Sequence, residues 1–103
     1  MRPVHKPLFE VGQLVEHLKN GYRGAVFGVD HEFSLSEEWY ETTAKSCPPK
    51  DHPWYHVMVD GSAKTTYVAE RHLKDCGNLS QINNPLLGKY FRHFNGRKYL
   101  PAK

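Results

Sequence analysis

The stretch PWYHVMVDG, Pro53 to Gly61, admits two readings that lead to different molecules. Taken as an extended segment, it alternates around Val57 and Val59 and runs into Asp60-Gly61, a pair that favours a tight turn. Side chains of a strand alternate between faces, so Trp54, His56 and Met58 share one side and Tyr55, Val57 and Val59 the other. The two valines mark the second side as core, which draws Tyr55 inward with its hydroxyl near an edge. Trp54 and His56 then lie on the less apolar side, covered by a long loop or a terminal helix. The competing reading makes the aromatic row an exposed surface, used to stack bases or to anchor a protein partner. A metal reading, from His52 and His56 four apart, fails on distance. In a strand four residues span roughly 13 Å, too far for both imidazoles to bind one ion.

Working outward, TTYVAE (Thr65–Glu70) supplies a second arm rich in strand formers, so the opening stretch and this one form a hairpin. Upstream, VGQLVEHL (Val11–Leu18) and YRGAVFGV (Tyr22–Val29) flank Lys19-Asn20-Gly21 and form another. Gly24 and Gly28 fall on one face with Val26 and mark a sharp bend or a close backbone approach. A ligand reaching the backbone is the functional alternative. Asp30 to Pro53 is a long connection. Ser34 stands three residues before Glu37 in a capping-box spacing, and a short helix is expected over Glu37–Thr43, with Leu35 and Trp39 pressed onto the body. Asn84-Pro85 caps a further helix whose stripe is Leu86, Leu87, Tyr90, Phe91 and Phe94, stopped by Asn95-Gly96. The expected fold is mainly β: a small, strongly bent SH3-like β-barrel with a short loop helix and a C-terminal helix. One domain should occupy residues 1–103, with its core at about 9–94 and a basic tail at 95–103.

Charge is uneven along the chain. The net value is +3, yet Gly24–Ala44 holds five acids and no base, and Leu86–Lys103 holds five bases and no acid. The basic end can attract phosphate, and the acidic middle would repel it. No apolar run approaches the ~20 residues of a membrane span, and MRPVHKPLF lacks the apolar core of a signal peptide. A cytoplasmic protein is expected, and the initial Met and short length favour a free-standing one. Cys47 and Cys76 belong to no C-x-x-C pair and should be thiols in that compartment. His5, His17, His31, His72 and His93 have no ligand spacing. There is no nucleophile elbow or phosphate-cradling glycine loop, and Glu37-Glu38 point apart on a helix. The expectation is no enzyme, no metal and no cofactor.

Two binding surfaces remain open. Trp39, Tyr40 and Trp54, with Tyr99 and Leu100 of the tail, offer aromatic and apolar contacts to a protein partner. Against this stand a buried strand for Trp54 and a frayed end for the last two. Lys89, Arg92, Arg97 and Lys98 offer phosphate contacts, which position a protein on nucleic acid without reading sequence. A solvated helix face is the bland alternative. Homo-oligomerisation also fits a chain with limited core.

The order FEVGQLVEHLKNGYRGAVFGVD, EEWYE, PPKDHPWYHVMVDG, TYVAERHL and INNPLLGKYF resembles the HspQ heat-shock protein family, also called the YccV-like or hemimethylated-DNA-binding domain. The likeness runs from about Phe9 to Tyr99, and PWYHVMVDG followed by TYVAE is its most specific part. It implies a small β-barrel-like fold with no enzymatic chemistry. It also implies one of two roles. One is a stress-induced factor that promotes degradation of denatured proteins, DnaA among them, as an adaptor for the Lon protease. The other is binding of hemimethylated DNA. Related domains occur in larger eukaryotic proteins, F-box proteins included. The resemblance brings no map of binding residues.

Overall fold

The computed structural model describes residues 6–44 and 46–101. Each hairpin forms where turn chemistry and alternation coincide. β1 (Leu14–His17) and β2 (Arg23–Asp30) pair antiparallel, with Leu14 opposite Ala25 and Val15 opposite Gly24. Their turn is held by His17, whose Nδ1 accepts from the backbone N–H of Lys19 and Asn20 at 3.2 and 3.0 Å. The opening stretch is β3 (Trp54–Val59), paired with β2 on one side and with β4 (Thr65–Ala69) on the other. A 3-10 turn, Glu70–His72, then leads into β5 (Leu73–Asp75), which returns to pair with β1. RHLKDCGN therefore contributes a fifth strand where only a closing segment was expected.

The strand order is β4-β3-β2-β1-β5, all antiparallel. The expected barrel does not close. Among the described residues β4 and β5 are the two edges of the sheet and no ladder joins them. Both faces of the sheet are buried. Phe9, Val15, Val26, Tyr55, Val57 and Val68 pack on one, and Leu14, Ala25, Met58, Ile82, Phe91 and Tyr99 on the other. The glycine expectation is half met. A bulge between Val26 and Gly28 displaces Phe27, so Gly24 pairs with Val59 while Gly28 moves to the opposite face, against His56. A Cβ at Gly28 would lie 2.9 Å from the imidazole, so a side chain there would require the His56 ring to shift.

The loop helix α1 spans Glu37–Thr43, as expected, but its cap is Ser36, whose hydroxyl accepts from Trp39 N–H at 3.1 Å. Ser34 is committed elsewhere, donating to Asp30 at 2.6 Å. The C-terminal helix is the larger correction. Asn84 does cap a turn, accepting from Leu86 N–H at 2.9 Å, but α2 is only Leu87–Tyr90. Phe91 turns extended, and β6 (Phe91–Phe94) pairs with β7 (Tyr99–Pro101). Asn95-Gly96 is a hairpin turn and not a helix stop: the Asn95 side chain accepts from the N–H of Arg97 and Lys98 at 2.9 and 3.0 Å. Gly88 weakens the helix, whereas Phe91 and Phe94 pack against Tyr99 at 5.4 and 4.8 Å, a gain available only to the paired strands. Of the expected basic tail, residues 95–101 are thus paired or turn residues of the body, and residues 102–103 lie outside the described residues.

Arg23 fastens the C-terminal segment to the sheet. Its guanidinium meets Asp60 at 3.1 Å and donates to the carbonyls of Asn78, Ser80 and Gln81 at 3.1, 2.7 and 3.0 Å. Planar, always charged and many-donored, arginine can satisfy four acceptors at once where lysine could not. Cys76 is buried in the cluster that holds Leu14 and Ile82, Cys47 is exposed, and no disulfide joins them.

Candidate functional site

A concavity lies along the edge strand β4. Thr66 and Val68 turn toward the Tyr55 face, and Tyr22 bonds Thr66 hydroxyl to hydroxyl at 2.7 Å. Tyr67 turns the other way and stacks on Trp54, ring centroids 5.2 Å apart and planes at 22°. The loop carrying α1 packs over that pair. Phe33 meets Trp54 edge-on at 5.0 Å, and Trp39 lies 5.6 Å from Tyr67 and 6.1 Å from Trp54. On the far side of the strand, the β1–β2 turn brings His17 and Tyr22, and the 3-10 turn brings His72. A trough of about 350 Å³ lies between, bordered by Thr66–Ala69, with α1 as one wall and the β1–β2 turn as the other.

Polar contacts lock the walls. One oxygen of Asp30 accepts from Ser34 at 2.6 Å and from Tyr67 at 2.7 Å, with His56 Nε2 at 3.2 Å. Partial burial pushes this carboxyl up, but the hydrogen bonds of Ser34 and Tyr67 and the neighbouring His56 outweigh it and leave it below the ordinary range. Tyr67 is raised, by burial first. Tyr40 donates to the Pro48 carbonyl at 2.6 Å, and Lys50 sits 4.3 Å over the Tyr40 ring. Tyr55, on the core side, donates to Glu70 at 2.5 Å while accepting from Leu8 and Phe9 N–H, which straps the N-terminal segment down.

His17 and His72 face each other with ring centroids 5.9 Å apart. Burial lowers the pKa of both; each also feels Lys19, His17 feels His72, and His72 feels Arg71. The unfolded chain therefore takes up protons at these positions before the folded one does, and stability should fall as pH drops below about 6.5. Protonation also removes the Nδ1 lone pair that caps the β1–β2 turn. Thermal melts should show a lower midpoint at pH 5.5 than at pH 7.5, and His17→Gln with His72→Gln should flatten that slope. An unchanged slope in the double variant would exclude these imidazoles as its cause.

The residues picked from sequence divide. Trp39, Tyr40 and Trp54 do come together at the loop, but Trp54 is 1% exposed and lines the trough from beneath. Tyr99 is 3% exposed, its hydroxyl accepting from Ile82 N–H at 2.9 Å, so it is core and no partner surface. Leu100 is half-buried in β7, away from the other three. Lys89, Arg92 and Arg97 are exposed on α2, β6 and the hairpin turn, as a phosphate-binding group requires. Lys98 is half-buried and paired with Glu10 at 3.0 Å. His5 and Lys103 lie outside the described residues. Phe33, Tyr67, Tyr22, His17 and His72 escaped the sequence reading. Strand register alone placed Tyr67 beside Trp54, and that signal was present in the alternation of TTYVAE. Among the described residues, no group of three or more His, Cys, Asp or Glu is placed to hold a metal ion.

A protein-family model described as "Hemimethylated DNA-binding protein YccV like" matches residues 7–98. The chain is also similar to F-box only protein 21 of Homo sapiens, of Pongo abelii and of Mus musculus. Each is 30% identical over 96 residues, covering 90% of this chain and 15% of the relative. The chain thus spans about 15% of the length of these curated relatives.

Proposed function

The chain belongs to the YccV-like family of hemimethylated DNA-binding proteins, and from that premise we propose a non-catalytic stress-response module that engages denatured polypeptide and promotes its degradation by a Lon-type ATP-dependent protease. The observation that carries this reading is the aromatic trough along β4. Its walls are Trp39, Trp54, Tyr67 and Tyr22, surfaces suited to apolar side chains. The helix forming one wall carries exposed Glu38 and Glu41, which disfavour a phosphate backbone at that place. The imidazoles at the trough are engaged locally: His17 caps the β1–β2 turn, and His72 Nε2 lies 3.3 Å from the Ser46 hydroxyl.

Hemimethylated DNA is the second reading, favoured by the family description and by the exposed bases Lys89, Arg92 and Arg97. These lie on the C-terminal elements and leave the trough free, so the two activities would use different surfaces. Three phosphate contacts would give a log–log salt slope near −2.7, at about −0.9 per phosphate.

The deciding experiment is ATP-dependent degradation of a denatured protein by Lon with graded amounts of this chain. A dose-dependent rise in rate is expected, reduced severalfold by Trp39→Ala and untouched by Arg92→Glu with Arg97→Glu. A rate independent of the chain, with active protease and a degradable client, would transfer the proposal to DNA. Binding of a hemimethylated duplex at graded salt would then test the basic residues.

A further inference from the structure

The trough has a floor of unusual chemistry: the outer edge of a β-strand. In an antiparallel pair, alternate residues turn both backbone groups toward the partner strand. Val59 N–H donates to Lys64 O, and Glu70 N–H donates to Pro53 O. With His56 opposite Tyr67, this phase directs the N–H and C=O of Thr66 and Val68 into the β3 ladder. Those of Thr65, Tyr67 and Ala69 point outward along the trough. Among the described residues no hydrogen bond is made to them on that side. Native proteins ordinarily cover, shorten or charge such an edge, because it is a template for another strand. Here the edge is flanked by aromatic rings on both sides and by no charged side chain of its own between Thr65 and Ala69.

We infer that the trough receives an extended, unstructured polypeptide segment as a sixth strand paired to β4, its alternate side chains directed to the Trp39–Tyr67 wall and to the Tyr22–His17–His72 wall. The inference rests on the proposed engagement of denatured protein and specifies its mode. Main-chain pairing supplies affinity indifferent to sequence, as a factor acting on many denatured proteins needs, and the rings favour apolar or aromatic residues at alternate positions. An unfolded chain has the free peptide groups for this; a folded client, with its backbone already paired, does not. A nucleic-acid strand has no row of amide donors and acceptors to meet the edge, and Glu38 and Glu41 stand against its phosphates.

The test uses the full chain and a fluorescein-labelled nine-residue peptide in which valine alternates with serine and lysine, read by fluorescence anisotropy. A set of peptides carrying one N-methyl group each is compared with the parent. If the peptide pairs as a strand, N-methylation weakens binding at least tenfold at every second central position and much less in between. Uniform sensitivity, or none, overturns the strand mode while leaving polypeptide engagement standing. No binding of the parent peptide overturns both. On the protein side, Ala69→Pro is the matching change. Ala69 has φ −68° and ψ 146°, which proline adopts without strain, and its N–H points outward, so no ladder bond is lost. The proline ring would fill the place where the incoming carbonyl binds. The variant should melt close to the natural chain and bind the peptide at least tenfold more weakly. Unchanged affinity in a folded Ala69→Pro protein overturns the inference. The N-methyl series decides it if this variant does not fold.

Discussion

Alanine at Gly12 is expected to destabilise the fold by about 3 kcal/mol or more, enough to unfold much of a marginal domain at physiological temperature. Two independent effects add. Gly12 has φ +94°, a conformation that costs an L side chain about 1–3 kcal/mol. A Cβ built there would also lie 1.9 Å from the carbonyl oxygen of Tyr99, which is backbone and cannot rotate away. Gly12 is where β7 crosses the start of β1: its N–H donates to Val26 O at 2.7 Å and its carbonyl accepts from Tyr99 N–H at 2.9 Å. Pushing Tyr99 aside would loosen the Ile82 bond and the Phe91 and Phe94 contacts together. Gly21 provides the control. It has φ +76° with nothing within 4 Å of a built Cβ, so Gly21→Ala should lose only the conformational part, about 1–2 kcal/mol. Urea unfolding of the two variants checks this. Equal losses would mean that the approach of Tyr99 to Gly12 contributes nothing.

This crossing also shows where sequence reasoning ran out. The two hairpins, the loop helix and the strand character of the opening stretch were legible because each is fixed by local chemistry: Asn-Gly and Asp-Gly turns, alternation, and serine before a helical run. The last segment was misread because Leu86, Leu87, Tyr90, Phe91 and Phe94 fit a helical period, while the reason they do not continue as a helix lies elsewhere. Arg23 fixes residues 78–81, Asn84 reaches the carbonyls of Val59 and Lys64 at 3.0 and 3.1 Å, and Tyr99 waits to pair with Phe94. No window of neighbouring residues contains those partners. The candidate site failed to be legible for the same reason. Its rings come from the loop, β3, β4 and the β1–β2 turn, far apart in the chain, and only strand register sets them around one trough. Exposure was misjudged at Tyr99, which looked like a docking residue of a tail and is instead buried with its hydroxyl bonded to Ile82 N–H. Trp54, offered both as a covered strand residue and as a docking residue, is the covered one, its indole N–H donating to Pro49 O beneath the long loop.

Trp54→Ala should cost about 3–5 kcal/mol, the usual range for removing a fully buried large aromatic. The indole is 1% exposed, its Nε1 donates to Pro49 O at 3.1 Å, and it touches Tyr67, Phe33, Trp39 and Tyr40. Removing it leaves a cavity where the long loop meets the sheet, so the loop from His31 to His52 should become the first site of limited proteolysis. Trp54→Phe keeps most of the apolar contact but strands the Pro49 carbonyl, and should cost about 1–2 kcal/mol. A stability within 1 kcal/mol of the natural chain for the alanine variant would mean that the ring cluster is loosely packed, against the geometry. The comparison with Gly12→Ala separates fold from site. Both variants lose stability, but only Trp54 supports the trough. At a temperature low enough to keep each folded, Gly12→Ala should still bind the alternating peptide, whereas Trp54→Ala should lose it, because Tyr67 no longer has the indole that holds its ring against the edge strand.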